Sequence, residues 1–188
     1  MNHEDVLQIF RDSGALLEGH FILRSGLHSR QFFQCALALQ KMPDVERLGT
    51  ALTARVAPLG AVTVVAPAMG GLVIGQEVAR QLGVRFIFVE KEAGLLVLRR
   101  GFQIAPGEKI LVVEDVVTKG GRVQETLDIV RQHGGHVVGA AAIVDRSNGT
   151  VNFGVPFLSL LALKVEAFEP DKLPPDLAAT PAFKPGSK

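Results

Sequence analysis

The stretch Ile110-Leu111-Val112-Val113-Glu114-Asp115-Val116-Val117-Thr118-Lys119-Gly120-Gly121-Arg122 decides how this chain is read. The unbroken apolar run Ile110 to Val113 predicts a strand covered on both faces. It ends on two adjacent carboxylates, Glu114 and Asp115, steps through Val116 and Val117, and enters a Thr-Lys-Gly-Gly turn before a helical pattern. In open α/β sheets ligands bind beyond the carboxyl ends of strands, which is where this turn falls. Gly120 and Gly121 let backbone N–H groups converge on an anion, and the new helix adds its positive end. Thr118 supplies a hydroxyl donor and Lys119 and Arg122 supply charge, so a phosphate suits the turn. Glu114 and Asp115 would repel a polyanion and must meet sugar hydroxyls or a hard cation such as Mg²⁺. The alternative is a generic turn, with both acids solvated or capping the next helix. The segment is neither a Walker loop nor a dinucleotide fingerprint, and Gly70 to Gly75 also misses the G-x-G-x-x-G spacing.

Working outward, residues 62–66, 84–89 and 137–144 are further Val/Ile-rich runs, alternating with helical patterns over 72–82 and 123–133. That alternation predicts an α/β fold with a mostly parallel sheet flanked by helices. Toward the N-terminus, Val6, Leu7, Ile9 and Phe10 recur at helical spacing, and Ser13-Gly14 supplies a stop. Residues 21–23 and 32–39 read as short strands around a polar turn, and Pro43-Asp44 opens a helix with Val45, Leu48, Leu52 and Val56 on one face. The expected organisation is an N-terminal cap segment over 1–40, a ligand-binding α/β core over 41–145, and a C-terminal extension over 146–188 that completes the cap. The tail is Pro-rich from Pro170 to Pro185 and is expected to be extended.

A net charge of +1 on 188 residues argues against a general nucleic-acid binder, which would carry a broad basic field. With Cys35 as the one cysteine, an intrachain disulfide and a cysteine-based zinc site are both excluded, and its apolar surroundings predict a buried small hydrophobe. The absence of Tyr and Trp leaves 11 Phe as the large aromatic surfaces for stacking on a ligand. His133 and His136 flank a Gly-Gly turn and read as surface residues. The start, Met-Asn-His-Glu-Asp, is acidic and unlike a secretory signal. The uncharged segments 60–76 and 147–163 are broken by Gly and Pro and are shorter than a spanning helix. A cytoplasmic protein without membrane or nucleic-acid partners is the expectation.

Residues 112–122 resemble the phosphoribosyl-pyrophosphate (PRPP) signature of type I phosphoribosyltransferases. Residues 14–33 (GALLEGHFILRSGLHSRQFF), residues 67–75 (PAMGGLVIG), Asp145-Arg146 and a closing Lys-Pro-Gly-Ser-Lys narrow the resemblance to the orotate phosphoribosyltransferases, in the right order along nearly the whole chain. The resemblance implies transfer of ribose 5-phosphate from PRPP to orotate in pyrimidine biosynthesis, with Mg²⁺ carried mainly by PRPP and no direct protein metal site. It implies that Glu114 and Asp115 hold the ribose hydroxyls and favour the positive charge of an oxocarbenium-like transition state. Residues Val116, Val117, Thr118, Lys119, Gly120, Gly121 and Arg122 would then bind PRPP, joined by Arg24, Lys91 and Arg99. Lys91 counts with the two carboxylates as catalytic. For orotate it implies Thr118, Arg146 on the carboxylate, and Phe32 or Phe33 on the ring, one of which must be core because neighbours on a strand face opposite ways. Residues 91–101, with cations Lys91, Arg99 and Arg100, read as a mobile loop that in the family closes the neighbour's site in a homodimer. Leu95-Leu96-Val97-Leu98 could instead form a hairpin strand, leaving Lys91 and Arg99 to share the cationic role.

The chain departs from the family pattern at Gly94 to Leu96, where many members carry a second Lys and a His, and at Met69-Gly70, often Tyr-Lys. Lys119 and Arg122 replace small polar residues, and a Cys-Pro-x-Cys stretch of some relatives is missing over 172–179. The remaining alternatives are a phosphoribosyltransferase for another base, which would have no carboxylate for Arg146, and a non-catalytic PRPP-sensing regulator on the same fold.

Overall fold

The computed structural model describes residues 1–23 and 26–185; Arg24 and the final Gly-Ser-Lys of the tail lie outside the described residues. Helix α1 (His3–Asp12) starts on a reciprocal cap, in which the Asn2 side chain accepts from the Asp5 N–H at 2.9 Å and the Asp5 carboxylate accepts from the Asn2 N–H at 2.7 Å. Strands β1 (Leu16–Ile22) and β2 (His28–Phe33) form an antiparallel pair, followed by the short helix α2 (Cys35–Ala38) and by α3 (Met42–Val56), which has proline in its first turn. Then come β3 (Thr63–Pro67), α4 (Gly71–Leu82), β4 (Arg85–Glu92), β5 (Leu95–Leu98), β6 (Lys109–Val117), α5 (Gly121–Gln132), β7 (His136–Asp145), β8 (Phe157–Ala162) and α6 (Pro175–Ala178).

The main sheet has six strands in the order β5-β4-β3-β6-β7-β8. All neighbours are parallel except the edge strand β5, which returns antiparallel on β4. Both faces are covered. Val64, Leu111, Val113 and Ile143 pack with Val6 and Phe10 of α1, Leu48 and Leu52 of α3, and Ile74 of α4. Val65, Val112, Ala140 and Ala142 point the other way and pack with Val123, Leu127 and Val130 of α5. This two-sided burial explains why the central strands read as continuous apolar runs rather than as alternations.

Three expectations change. Residues 32–39 are not one strand: β2 stops at Phe33 and the backbone turns into α2, a short apolar run whose periodicity does not separate helix from strand. Over 91–101 the structure takes the alternative to a loop, the hairpin: β4 runs to Glu92 and reverses through Ala93 (φ 49°) and Gly94 (φ 91°) into β5 at Leu95–Leu98. Positive φ at both central residues matches the twist of a tight hairpin. The core also extends beyond 41–145. β8 is its sixth strand and α1 packs into its larger apolar cluster, so the segments 1–40 and 146–188 each supply core as well as cap.

The cap itself is the β1–β2 hairpin with the tail laid across it. Backbone bridges join Phe21 to Phe183 and His28 to Phe168. The His20 ring Nδ1 meets the Thr180 carbonyl at 2.7 Å, and Ser29 Oγ donates to the Glu166 carbonyl at 2.9 Å. Arg30 donates twice to the Asp176 carboxylate at 2.8 Å and once to Glu166 at 2.8 Å, while its guanidinium sits 5.0 Å from the Phe168 ring centre. A planar fork suits this set where lysine would not. Arg30→Ala is therefore expected to speed proteolytic cleavage within residues 164–180 while leaving the thermal unfolding of the core unchanged. Cleavage at the wild-type rate would show that the backbone bridges alone hold the tail.

Candidate active site

The carboxyl ends of β3, β4 and β6 open onto one cleft of about 1080 Å³. Lys91 and every residue of 114–122 line it, so the stretch on which the sequence reading rests is gathered with the hairpin cation it was expected to meet. Gln34, Ala68, Met69, Gly70 and Glu90 line it too, and these were not singled out as site residues. Only Gly70 carried a local signal, a glycine pair directly after a strand. Gln34 and Glu90 reach the cleft through topology.

Glu114 is 5% exposed and its carboxyl is pushed up to about 9, first by burial and then by the neighbouring Asp115. Arg122 acts in the opposite direction. Glu114 Oε1 accepts the Asp115 N–H at 3.0 Å, and Asp115 Oδ1 accepts the Val116 N–H at 2.7 Å. Burial and the neighbouring carboxylate thus disfavour the charged form of Glu114 in the ligand-free cleft. Among the described residues no group of three or more His, Cys, Asp or Glu side chains is placed to hold a metal ion. The two carboxylates are hard oxygen donors, the type of ligand a divalent cation such as Mg²⁺ takes.

Gly120 adopts φ +75° and caps α5 without a side-chain hydrogen bond. A Cβ at Gly120 would lie 2.9 Å from both Phe153 and Val151, so glycine is required by conformation and by packing alike. The turn thus presents the N-terminus of α5 to the cleft, flanked by exposed Thr118, Lys119 and Arg122. Arg122 also donates to the Ala68 carbonyl at 3.1 Å and ties this turn to the one after β3, where the Ala68–Met69 peptide is cis.

The cations of the hairpin are divided. Arg100 donates to both oxygens of Glu90 at 2.8 and 2.9 Å, and Arg99 pairs with Glu92 at 3.0 Å. Neither lines the cleft, and Lys91 does. Hairpin pairing places Arg99 beside carboxylates of the hairpin, so in the ligand-free chain Lys91 is the one of the two that lines the cleft.

Arg146 is half-buried; its Nε is buried with no hydrogen-bond partner, and it forms no ion pair among the described residues. Burial pushes the guanidinium down from its ordinary value. Its carbon lies 5.1 Å from the Phe33 ring centre, and Phe33 in turn meets Phe10 at 6.2 Å. Phe33 is therefore a core ring beneath Arg146, whereas Phe32 is half-buried against Phe21 at 5.9 Å. Neither ring lines the cleft. Buried Cys35 lies within reach of both charged sites: its thiol is pushed up by burial and by Asp115, and pulled back by Arg146. Arg24 lies outside the described residues.

The chain matches the phosphoribosyl transferase domain family over residues 39–153. It is 49% identical over 188 residues to the orotate phosphoribosyltransferase of Desulforamulus reducens, covering 100% of this chain and 98% of that protein. It is 50% identical over 190 residues to that of Heliobacterium modesticaldum, covering 100% of both. Among solved structures, the orotate phosphoribosyltransferase from Aeropyrum pernix superposes with a TM-score of 0.72 at 24% identity, over 85% of this chain and 94% of that one. An adenine phosphoribosyltransferase from Thermoanaerobacter pseudethanolicus gives 0.63 at 19% identity, over 71% and 88%. The fold is shared by enzymes for different bases.

Glu114 binds a proton more tightly in the folded chain than in the unfolded one. It contributes stability that is full below its ordinary value of 4.5 and is lost as pH rises toward about 9. Glu114→Gln, which mimics the protonated form, should gain on wild type in thermal unfolding between pH 5 and pH 9. A constant gap across that range would show that the group does not titrate there.

Proposed function

The chain belongs to the orotate phosphoribosyltransferase family, and from that premise we propose how its cleft transfers the 5-phosphoribosyl group of PRPP to orotate. The products are orotidine 5′-monophosphate and pyrophosphate, a step of pyrimidine biosynthesis. The bond from C1′ to the pyrophosphate oxygen breaks with its electron pair leaving on pyrophosphate. The bond from orotate N1 to C1′ forms, and the N1 proton passes to the departing pyrophosphate or to water. No protein nucleophile takes part, so positioning and electrostatics carry the rate.

The 5′-phosphate lies in the Thr118–Arg122 turn, on the N–H groups that open α5 and with the Thr118 hydroxyl as donor. Asp115 and Glu114 face the ribose, whose hydroxyls donate to them and whose developing positive charge they favour. Lys91 faces the departing pyrophosphate from the other wall. Mg²⁺, when bound to pyrophosphate, offsets the charge that builds on the leaving group. The hard carboxylate oxygens of Glu114 and Asp115 would be the protein's donors to it.

The observation that carries the choice of base is Arg146, a half-buried guanidinium without an ion-pair partner among the described residues. A buried cation of this kind costs stability unless an anion meets it. The carboxylate of orotate, taken up by a bidentate fork, meets that need, whereas adenine has no such group. The Arg146 guanidinium lies over the Phe33 ring, and Phe32 remains the ring closer to solvent. A cytoplasmic homodimer completes the reading. Its support is the exposed apolar side chains Met69 (80%) and Leu95 (67%), the former on the cleft wall and the latter on the edge hairpin. No helix of the described residues is long and apolar enough to cross a membrane.

Mixed with PRPP, Mg²⁺ and orotate, the protein should consume orotate and release pyrophosphate; a folded, inactive protein would overturn the reading. Asp115→Asn should lower kcat on the order of 100-fold with little change in thermal stability. Arg146→Ala should raise the orotate KM by roughly 10- to 100-fold and leave the PRPP KM within about threefold. An equal loss for both substrates would assign Arg146 to structure.

A further inference from the structure

Strand β5 is the edge of the main sheet, so the N–H groups on its outer side have no strand to pair with. One of them is taken. The Leu96 N–H donates to Glu125 Oε1 at 2.8 Å, in a half-buried position, and Glu125 lies one turn into α5. The Leu96 side chain is 4% exposed and packs with Val123 and Leu127 of that same helix. Leu96 is also the register partner of Lys91 across the hairpin. A single helix therefore does two things: its N-terminus forms the phosphate turn, and its Glu125 holds the strand directly opposite Lys91.

We propose that Glu125 is a positioning residue for PRPP, fixing through the Leu96 N–H the distance between the Lys91-bearing hairpin and the α5 phosphate turn. The role rests on the reading of the cleft as a PRPP site. PRPP has a phosphate at one end of its ribose and a pyrophosphate at the other, so a cleft that takes both needs its two cationic walls at a set spacing. Lys91 is the hairpin cation that lines the cleft, while Arg99 and Arg100 are engaged by Glu92 and Glu90. The spacing that matters is thus between Lys91 and residues 118–122. A hairpin at a sheet edge is paired on one side only, and the Glu125 bond supplies a polar tether on the other. The carboxylate itself does not line the cleft, so its effect on substrate passes through Lys91.

The separating property is reach rather than charge. Glu125→Gln keeps an acceptor oxygen at the same length, whereas Glu125→Asp keeps the charge and withdraws the oxygen by one methylene. Steady-state kinetics on the full chain should show the PRPP KM of Glu125→Asp raised about tenfold with the orotate KM within about twofold, and Glu125→Gln within about twofold of wild type for both. In a Lys91→Met background the Glu125→Asp change should have little further effect on the PRPP KM, since both act on one contact. An unchanged PRPP KM in Glu125→Asp, a Gln variant as defective as the Asp variant, or additive losses with Lys91→Met would each overturn the positioning role. An inactive wild-type enzyme would instead overturn the reading of the cleft.

Discussion

The close approach of the first turn of α4 to the end of β6 is the constraint on which the site depends. A Cβ at Gly70 would stand 2.8 Å from Asp115 Oδ1, and one at Gly71 would stand 2.8 Å from the Val113 carbonyl and 3.0 Å from Glu114 Oε1. At Gly71 the fixed Val113 carbonyl leaves no room for a side chain, and at Gly70 one would have to displace the Asp115 carboxylate. Two turns that are distant in sequence, after β3 and after β6, are thereby pressed into one wall, and Arg122 ties them by its bond to the Ala68 carbonyl. The same contact removes water from Glu114 and lifts its carboxyl, so the burial that shapes the cleft also moderates its charge.

The rest of the cleft is a sorting of charge that the net value of +1 conceals. The carboxylate pair, the α5 N-terminus with Lys119 and Arg122, and Lys91 all line the cleft. Arg99 and Arg100, adjacent in sequence and equally cationic, are engaged by Glu90 and Glu92 and stay out of the cleft. Arg146 forms no ion pair among the described residues and lies over an aromatic ring. Unsatisfied charge is costly inside a protein, and its persistence at one position is what distinguishes a binding group from a structural one.

The phosphate turn was legible because all its parts are contiguous: a buried strand, two acids, a glycine pair and a helix follow one another within residues 110–123. The parallel core was legible for a similar reason, since two-sided burial writes itself as apolar runs such as 62–66 and 137–144. Short elements were harder. Residues 35–38 are apolar in a way that helix and strand share, and β8 follows β7 across residues 146–156 with no intervening helix to announce a parallel pairing. What the sequence could not disclose is what the fold brings together from afar: Gln34 and Glu90 at the cleft, Phe33 under Arg146, and Glu125 on the Leu96 N–H. The division of the hairpin cations also required the register of β4 on β5, because Lys91, Arg99 and Arg100 are chemically alike until their neighbours are known.

The proposed binding mode seats the 5′-phosphate at Gly120 and the ribose at Asp115 within the cleft, and the base carboxylate on Arg146, which is not among the residues that line the cleft. A crystal structure with orotidine 5′-monophosphate bound tests it most directly. The expected result places the 5′-phosphate on the N–H groups of residues 120–122, the ribose hydroxyls on Asp115 and Glu114, and the base carboxylate on the Arg146 guanidinium. A nucleotide bound with its phosphate away from that turn, or with Arg146 still unpaired, would contradict the account.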